Sequence, residues 1–387
     1  MGRAITSVED LRLIAKKRVP KVFFEYVDSG SWSETTWKHN SSDFQDITFW
    51  PRVVHDLSQR SLKTILAGQT ASMPLAIAPT GTAGMQRADG EILAAQAAEA
   101  AGIPYTLSCM SICSLEDVAR HTSTPFWMQV HFMKDVGFLN RLIDRAAAAE
   151  CSALVVTIDI QVLAQRHSDI KNNRSAAVFT LMRLPQFMSR PRWCLGMMRT
   201  KRHNFGNVVG HVEGVTGLAE VGQWTGEQLT PTVSWDDLKR IRERWKGKLI
   251  AKGVLHPDDA RKAVEAGADA LIVSNHGGRQ LDGALSTIRA LPHVVEAVGP
   301  EMEVMMDGGI RTGQDILKAV ALGAKGVLMG RAHLYGLGAA GREGVAQSIE
   351  IMRKELDLTM AMCGITNIRE VTSDILATSV KPLPSRR

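Results

Sequence analysis

Eight short, continuous apolar runs recur along the chain, near residues 75–77, 105–107, 126–130, 154–158, 249–251, 271–273, 304–306 and 327–329. Unbroken runs of this length suit strands buried on both faces. Between them lie stretches of helical periodicity, with boundaries such as Ser114 at a start and Gly102 at an end. Strands that alternate with helices pair in parallel, and eight of them favour closure into an α/β (β/α)8, or TIM, barrel. A local echo supports the count: Gly267-Ala268-Asp269-Ala270-Leu271 and Gly323-Ala324-Lys325-Gly326-Val327 enter their strands alike. An open doubly wound sheet is the alternative. Against it, no G-x-G-x-x-G follows the first run and no lysine-bearing phosphate loop occurs.

The runs are spaced roughly 20 to 35 residues apart except between the fourth and fifth, where about 90 intervene, far more than an ordinary connection. The expectation is a single domain, 1–387, in which the barrel has an N-terminal helical segment and carries residues 170–232 as an insertion after strand four. Residues 170–211 hold eight basic residues (Lys171, Arg174, Arg183, Arg190, Arg192, Arg199, Lys201, Arg202) and no Asp or Glu. Phe179, Leu181, Met182, Leu184, Phe187, Met188, Trp193 and Met198 are interleaved with them. Such a mixture suits an anionic membrane surface, and equally a lid that packs its aromatics on the barrel mouth.

Formal net charge is +6 on 46 basic and 40 acidic residues, a mild excess that names no partner. No nucleic-acid motif is present, so no nucleic-acid partner is expected. The five cysteines are scattered without zinc-site spacing, so reduced thiols and no metal are expected. Acids at Glu9 and Asp10 stand where a signal peptide needs an apolar run, and no window approaches a membrane span. A cytoplasmic protein is expected, peripheral on the inner face of the membrane if the insertion is an anchor.

The chemistry should lie at the carboxyl ends of the strands. Those ends read Pro79-Thr80-Gly81, Ser108, Gln129 with His131, Thr157 with Asp159, Lys252, Ser274 with His276 and Arg279, Asp307-Gly308-Gly309 with Arg311, and Gly330-Arg331. A structural barrel has no reason to gather so many polar groups there. The last two ends, each with glycine and arginine, look like a phosphate cradle.

The strings SNHGGRQLDG at 274–283, DGGIRTG at 307–313 and GRA at 330–332 resemble the FMN-dependent L-2-hydroxy-acid oxidase and dehydrogenase family. The resemblance extends from Pro20 to about Gly364. It implies an enzyme that binds FMN and oxidises an L-2-hydroxy acid, L-lactate-like or larger, to the 2-oxo acid, with His276 as the base. It implies a lysine, here Lys252, near N1 and O2 of the flavin. Gln129, Thr157, Ser108 and Ser274 would hold the ring, and Asp307, Gly308, Gly309, Arg311, Gly330 and Arg331 the ribityl phosphate. Pro79 and Thr80 lead into Gly81, beside the flavin N5 edge. Glycine there is the pattern of the family's dehydrogenases, which pass electrons to quinone or another acceptor. Tyr26, otherwise a core aromatic by helix spacing, would contact the substrate carboxylate. A homotetramer is also implied.

Arg166 and Arg279 are able to grip one carboxylate as a forked pair. Asp159 serves either as the orienting partner of His276 or as a strand-end cap. The chain departs from the family at Gln129-Val130-His131, where a tyrosine is usual in the third position. An imidazole there is shorter and, at its ordinary pKa of about 6.5, able to carry charge. The competing functions are an oxidase using oxygen, a flavin-free barrel lyase or isomerase with Lys252 as Schiff-base former, and a binding protein for lipid or nucleic acid.

Overall fold

The computed structural model describes residues 4–173 and 184–378. All eight apolar runs are strands of one sheet: β1 (Leu75–Ile77), β2 (Thr106–Ser108), β3 (Trp127–His131), β4 (Ala153–Thr157), β5 (Lys248–Val254), β6 (Ala270–Val273), β7 (Glu303–Asp307) and β8 (Gly326–Met329). Every pairing is parallel, in the order β1-β8-β7-β6-β5-β4-β3-β2, and a bridge from Ile77 to Tyr105 brings β1 to β2. The sheet therefore closes into the expected (β/α)8 barrel.

Side chains alternate along a strand, and that parity assigns every position to the inside or the outside. Leu75, Ile77, Leu154, Val156, Leu271, Val273, Val304 and Met306 join the helices in the larger core. Ala76, Ala78, Trp127, Ala153, Val155, Ile250, Ala270, Ile272, Met305 and Leu328 form a separate buried cluster inside the barrel. The hairpin Thr64–Leu66/Gln69–Ala71 closes the amino-terminal end with Leu66, Ala67 and Ala71. Continuing the inward parity to the carboxyl ends gives Ser108, Gln129, Thr157, Lys252, Ser274 and Asp307, all buried. The barrel is thus apolar below and polar above, from one alternation.

The N-terminal segment roofs this upper end. Ser7 and Asp10 make a reciprocal capping box at the start of helix Val8–Arg18, and Lys21–Val27 follows directly after Pro20. Helix Thr35–Ser42 then carries Asn40, whose amide exchanges two 2.8 Å hydrogen bonds with that of Asn275. Gly309, at φ +81°, lies so close to this helix that a Cβ would fall 1.8 Å from the Asn40 carbonyl oxygen. Glycine is required there for packing, a reason separate from any phosphate.

Of the insertion, residues 174–183, with Arg174, Phe179, Leu181, Met182 and Arg183, lie outside the described residues. The part that follows has two different faces. Phe187 and Trp193 stack around Phe23, with ring centroids 6.3 and 5.4 Å from it, and the Trp193 indole N–H donates to the Met85 carbonyl at 2.9 Å. Arg202 pairs with Asp89 at 2.9 Å and Asp117 at 3.0 Å, so this cation is committed to the barrel. Met188, Leu195 and Met198 are exposed, beside exposed Arg192, Arg199 and Lys201. The alternative between lid and anchor therefore divides within helix Pro191–Arg199, which turns Trp193 inward and Leu195 and Met198 outward. No helix among the described residues is long and apolar enough to cross a membrane.

Candidate active site

His276 stands two residues beyond Ser274, in the left-handed region at φ 58°, with its backbone N–H on the Ser274 hydroxyl at 3.1 Å. A non-glycine residue held this way costs about 1–3 kcal/mol, and such strain gathers at sites of function. Its Nδ1 lies 3.2 Å from Asp159 Oδ1. A carboxylate only accepts, so Nδ1 carries the proton and Nε2 keeps a lone pair. Burial lowers the His276 pKa, the Asp159 charge opposes that and Lys252 adds to it; the imidazole is neutral at physiological pH. Burial pushes Asp159 upward, but the His276 hydrogen bond, the Lys252 charge and the charge that His276 gains once protonated hold it below its ordinary value.

Room for Asp159 comes from β5. The pairing of β5 with β6 shifts register between Lys252 and Val254, at Gly253 with φ +111°, where a Cβ would fall 2.7 Å from the Asp159 side chain. Gln280 donates to the Asp159 carbonyl at 2.6 Å and to that of Val162 at 3.1 Å. Sequence reasoning missed both residues. The glycine after a strand-end lysine was the available signal for the first, while nothing local marks the second.

Arg279 donates from Nη1 to the carbonyls of Tyr26 at 2.6 Å and Ser29 at 3.0 Å, and its guanidinium lies 4.7 Å from the centre of the Tyr26 ring. Its Nη2 is buried without a hydrogen-bond partner. Arg166 approaches from the loop after β4, with Nε 3.4 Å from the Arg279 carbonyl oxygen. One oxygen of Asp169 lies between the two guanidiniums, 3.5 Å from Arg166 and 3.9 Å from Arg279. The pair already accommodates a carboxylate, and holds it loosely.

Lys252 Nζ is 3.0 Å from Asp307 Oδ2 and 3.1 Å from the Ser274 hydroxyl. The Ser108 hydroxyl donates to Gln129 Oε1 at 3.1 Å, and Gln129 Nε2 donates to Thr157 at 2.9 Å. Arg311 rests 5.7 Å from the Tyr335 ring centre. Arg331 donates to the carbonyls of Val27, Ser29 and Gly277 at 2.7, 2.7 and 2.9 Å. Its fork thus ties the roof to the β6 loop, a role the sequence did not indicate. Thr80 and Gly81 are partly exposed at the end of β1, with Pro79.

His131 ends β3 in register with Thr157, its Nδ1 buried without a partner. Burial, with repulsion from His276 and Lys252, pulls its pKa to about 3. Of the two protonation states that the sequence allowed here, burial therefore favours the neutral one. Residues on one mouth leave buried polar atoms without a hydrogen-bond partner, among them Asp307 Oδ1, Asp159 Oδ2, Arg279 Nη2 and His131 Nδ1. Natural interiors rarely leave such groups unsatisfied, and together they fit a polar, ring-bearing ligand seated over the barrel.

A closed barrel whose mouth gathers an imidazole–carboxylate pair and two adjacent guanidiniums defines a class of enzymes that act on anionic substrates. The FMN-dependent dehydrogenase profile matches residues 15–378, and the chain belongs to that family. The chain is 43% identical to the L-lactate dehydrogenase of Caulobacter sp. (strain K31) over 375 residues, 96% of this chain and 98% of that protein. It is equally similar, 43% over 374 residues, to that of Ectopseudomonas mendocina (strain ymp), with the same coverage. Among solved structures it resembles a monotopic membrane protein, (S)-mandelate dehydrogenase, with a TM-score of 0.92 and 35% identity over 97% of this chain and 99% of that one. Mandelate oxidase is similar at a TM-score of 0.82 and 31% identity, covering 98% and 100%. FMN is accordingly the cofactor, and the flavin-free lyase or isomerase alternative falls away.

Proposed function

We propose that the chain oxidises an L-2-hydroxy acid, L-lactate or a larger homologue, to the 2-oxo acid and passes the electrons to quinone or another acceptor at a membrane surface. The observation that carries the reading is the strand-tip pair of His276, proton-bearing at Nδ1 against Asp159, and Arg279, three residues on, with a buried N–H group free. When bound, FMN supplies the two-electron acceptor for the substrate Cα–H. Ser108, Gln129, Thr157, Ser274 and Lys252 would hold its ring, with Pro79, Thr80 and Gly81 along one edge. Asp307, Gly308, Gly309, Arg311, Gly330 and Arg331 would hold the ribityl phosphate.

Arg279 and Arg166 bind the substrate carboxylate in place of Asp169, with Tyr26 stacked beneath the guanidinium. That orientation turns the hydroxyl toward His276 Nε2, which takes its proton. Asp159 then stabilises the imidazolium. His131, neutral, contributes a hydrogen-bonding nitrogen where the family has a phenol. The exposed Leu195, Met198, Arg192 and Arg199 face supports peripheral binding to anionic lipid, and a homotetramer is the assembly that the family resemblance implies. Anaerobic mixing of the holoenzyme with glycolate, L-lactate, longer L-2-hydroxy acids and mandelate tests the reading. Bleaching of the flavin by at least one L-acid is expected, and an unbleached flavin with all of them overturns it.

A further inference from the structure

His333 is not used by the chemistry above. It lies on helix Arg331–Ala340, 1% exposed, with Nδ1 3.1 Å from the Met329 carbonyl oxygen and Nε2 3.2 Å from the Thr80 hydroxyl. A carbonyl only accepts, so Nδ1 must carry the ring proton. Burial pulls the pKa to about 4, which keeps the ring neutral and leaves Nε2 as a lone pair. The Thr80 hydroxyl must then donate its one proton to Nε2. What it presents to the barrel mouth is lone pairs alone.

We infer that His333 is a positioning residue that fixes the Thr80 hydroxyl as an acceptor, so that the part of the bound flavin against Thr80 is a donor, a ribityl O–H or a ring N–H, and not a phosphate oxygen. The inference rests on the reading that Thr80 borders the FMN site. A hydroxyl free to rotate serves donors and acceptors alike, whereas one whose proton is engaged discriminates between them. Donating to Nε2 also polarises the oxygen and strengthens the bond it accepts.

The test is a double-mutant cycle on FMN release, read as recovered flavin fluorescence when holoenzyme is diluted. Thr80→Val is expected to weaken FMN binding roughly fivefold, as for one neutral hydrogen bond. His333→Leu is expected to weaken it roughly threefold in the native background but less than twofold in the Thr80→Val background, because the imidazole acts only through that hydroxyl. His333→Gln, whose side-chain oxygen is able to accept from Thr80, should bind FMN within about twofold of the native protein. Equal effects of His333→Leu in both backgrounds, or no effect of Thr80→Val, would overturn the inference. If His333→Leu fails to fold, a loss of FMN affinity in His333→Gln as large as that in Thr80→Val overturns it instead. A native protein that retains no FMN would instead refute the proposed function itself.

Discussion

Replacing Asp159 by asparagine removes one charge and almost nothing else, since the amide oxygen is able to accept from His276 Nδ1 at the same 3.2 Å. At that separation, with an effective dielectric near 20, the carboxylate stabilises a full imidazolium by about 5 kcal/mol. If the proton is half transferred in the transition state, about half of that is lost, and flavin reduction slows roughly 70-fold. The pH dependence carries an independent sign. The Asp159 charge raises the His276 pKa against burial, so removing it lowers that pKa further. The rate of flavin reduction, which rises as His276 loses its proton, should therefore have its inflection at lower pH in the variant, below a reduced plateau. Anaerobic stopped-flow bleaching across pH measures both, with FMN content and Tm as controls. A plateau within threefold of native, or an inflection displaced upward, would refute Asp159 as the partner of the base.

Arg279→Met keeps much of the aliphatic stem but removes the guanidinium, with its buried Nη2 and its Nη1 bonds to the roof, so KM should rise and kcat fall together, by roughly 100-fold or more in kcat/KM. Unchanged inhibition by oxalate would exclude Arg279 from the clamp. Leu195→Glu with Met198→Glu places two anions on the outward face of helix Pro191–Arg199 and should release the protein from anionic vesicles without altering dye reduction; cosedimentation equal to native would rule out that face. Gly81→Ala puts a methyl 3.3 Å from the Met110 carbonyl oxygen, tight but accommodated by a shift of a few tenths of an ångström. It is expected to retain reduction by substrate and to raise the oxygen reoxidation rate, and stopped-flow reoxidation at the native rate would contradict this.

The barrel was legible because its signals are local. Trp127, Gln129 and His131 share a parity, as do Ile250 and Lys252, so a period of two carries an apolar floor into a polar rim. The strand-tip motif 274–279 pointed to the proposed base and clamp for the same reason: His276 and Arg279 lie beside the strand that presents them. What the sequence did not reveal is set by residues far apart. Asn40 and Asn275 are separated by 235 positions, and Arg331 meets the Val27 carbonyl across 304. No periodicity records such pairs. The protonation of His131 was left open by the sequence for a related reason, since only the packed neighbourhood supplies the burial and the Lys252 charge that keep it neutral.

Those long-range contacts bear directly on catalysis. The Tyr26–Ser29 turn offers its carbonyls to two guanidiniums: Ser29 accepts from both Arg279 and Arg331, while Tyr26 and Val27 take one each. Arg331 in turn donates to the carbonyl of Gly277, next to the base. The Arg279 guanidinium proposed as the substrate clamp, the strained His276 backbone and the start of the helix expected to face phosphate are therefore held by one hydrogen-bonded turn from outside the barrel. Rigid strands set where each side chain begins, but the direction of Arg279 depends on this roof. The direction of Arg279 should thus be more sensitive to changes in residues 26–29 than the inner ring of Ser108, Gln129 and Thr157, whose side chains bond to one another and to the nearby Met110 N–H.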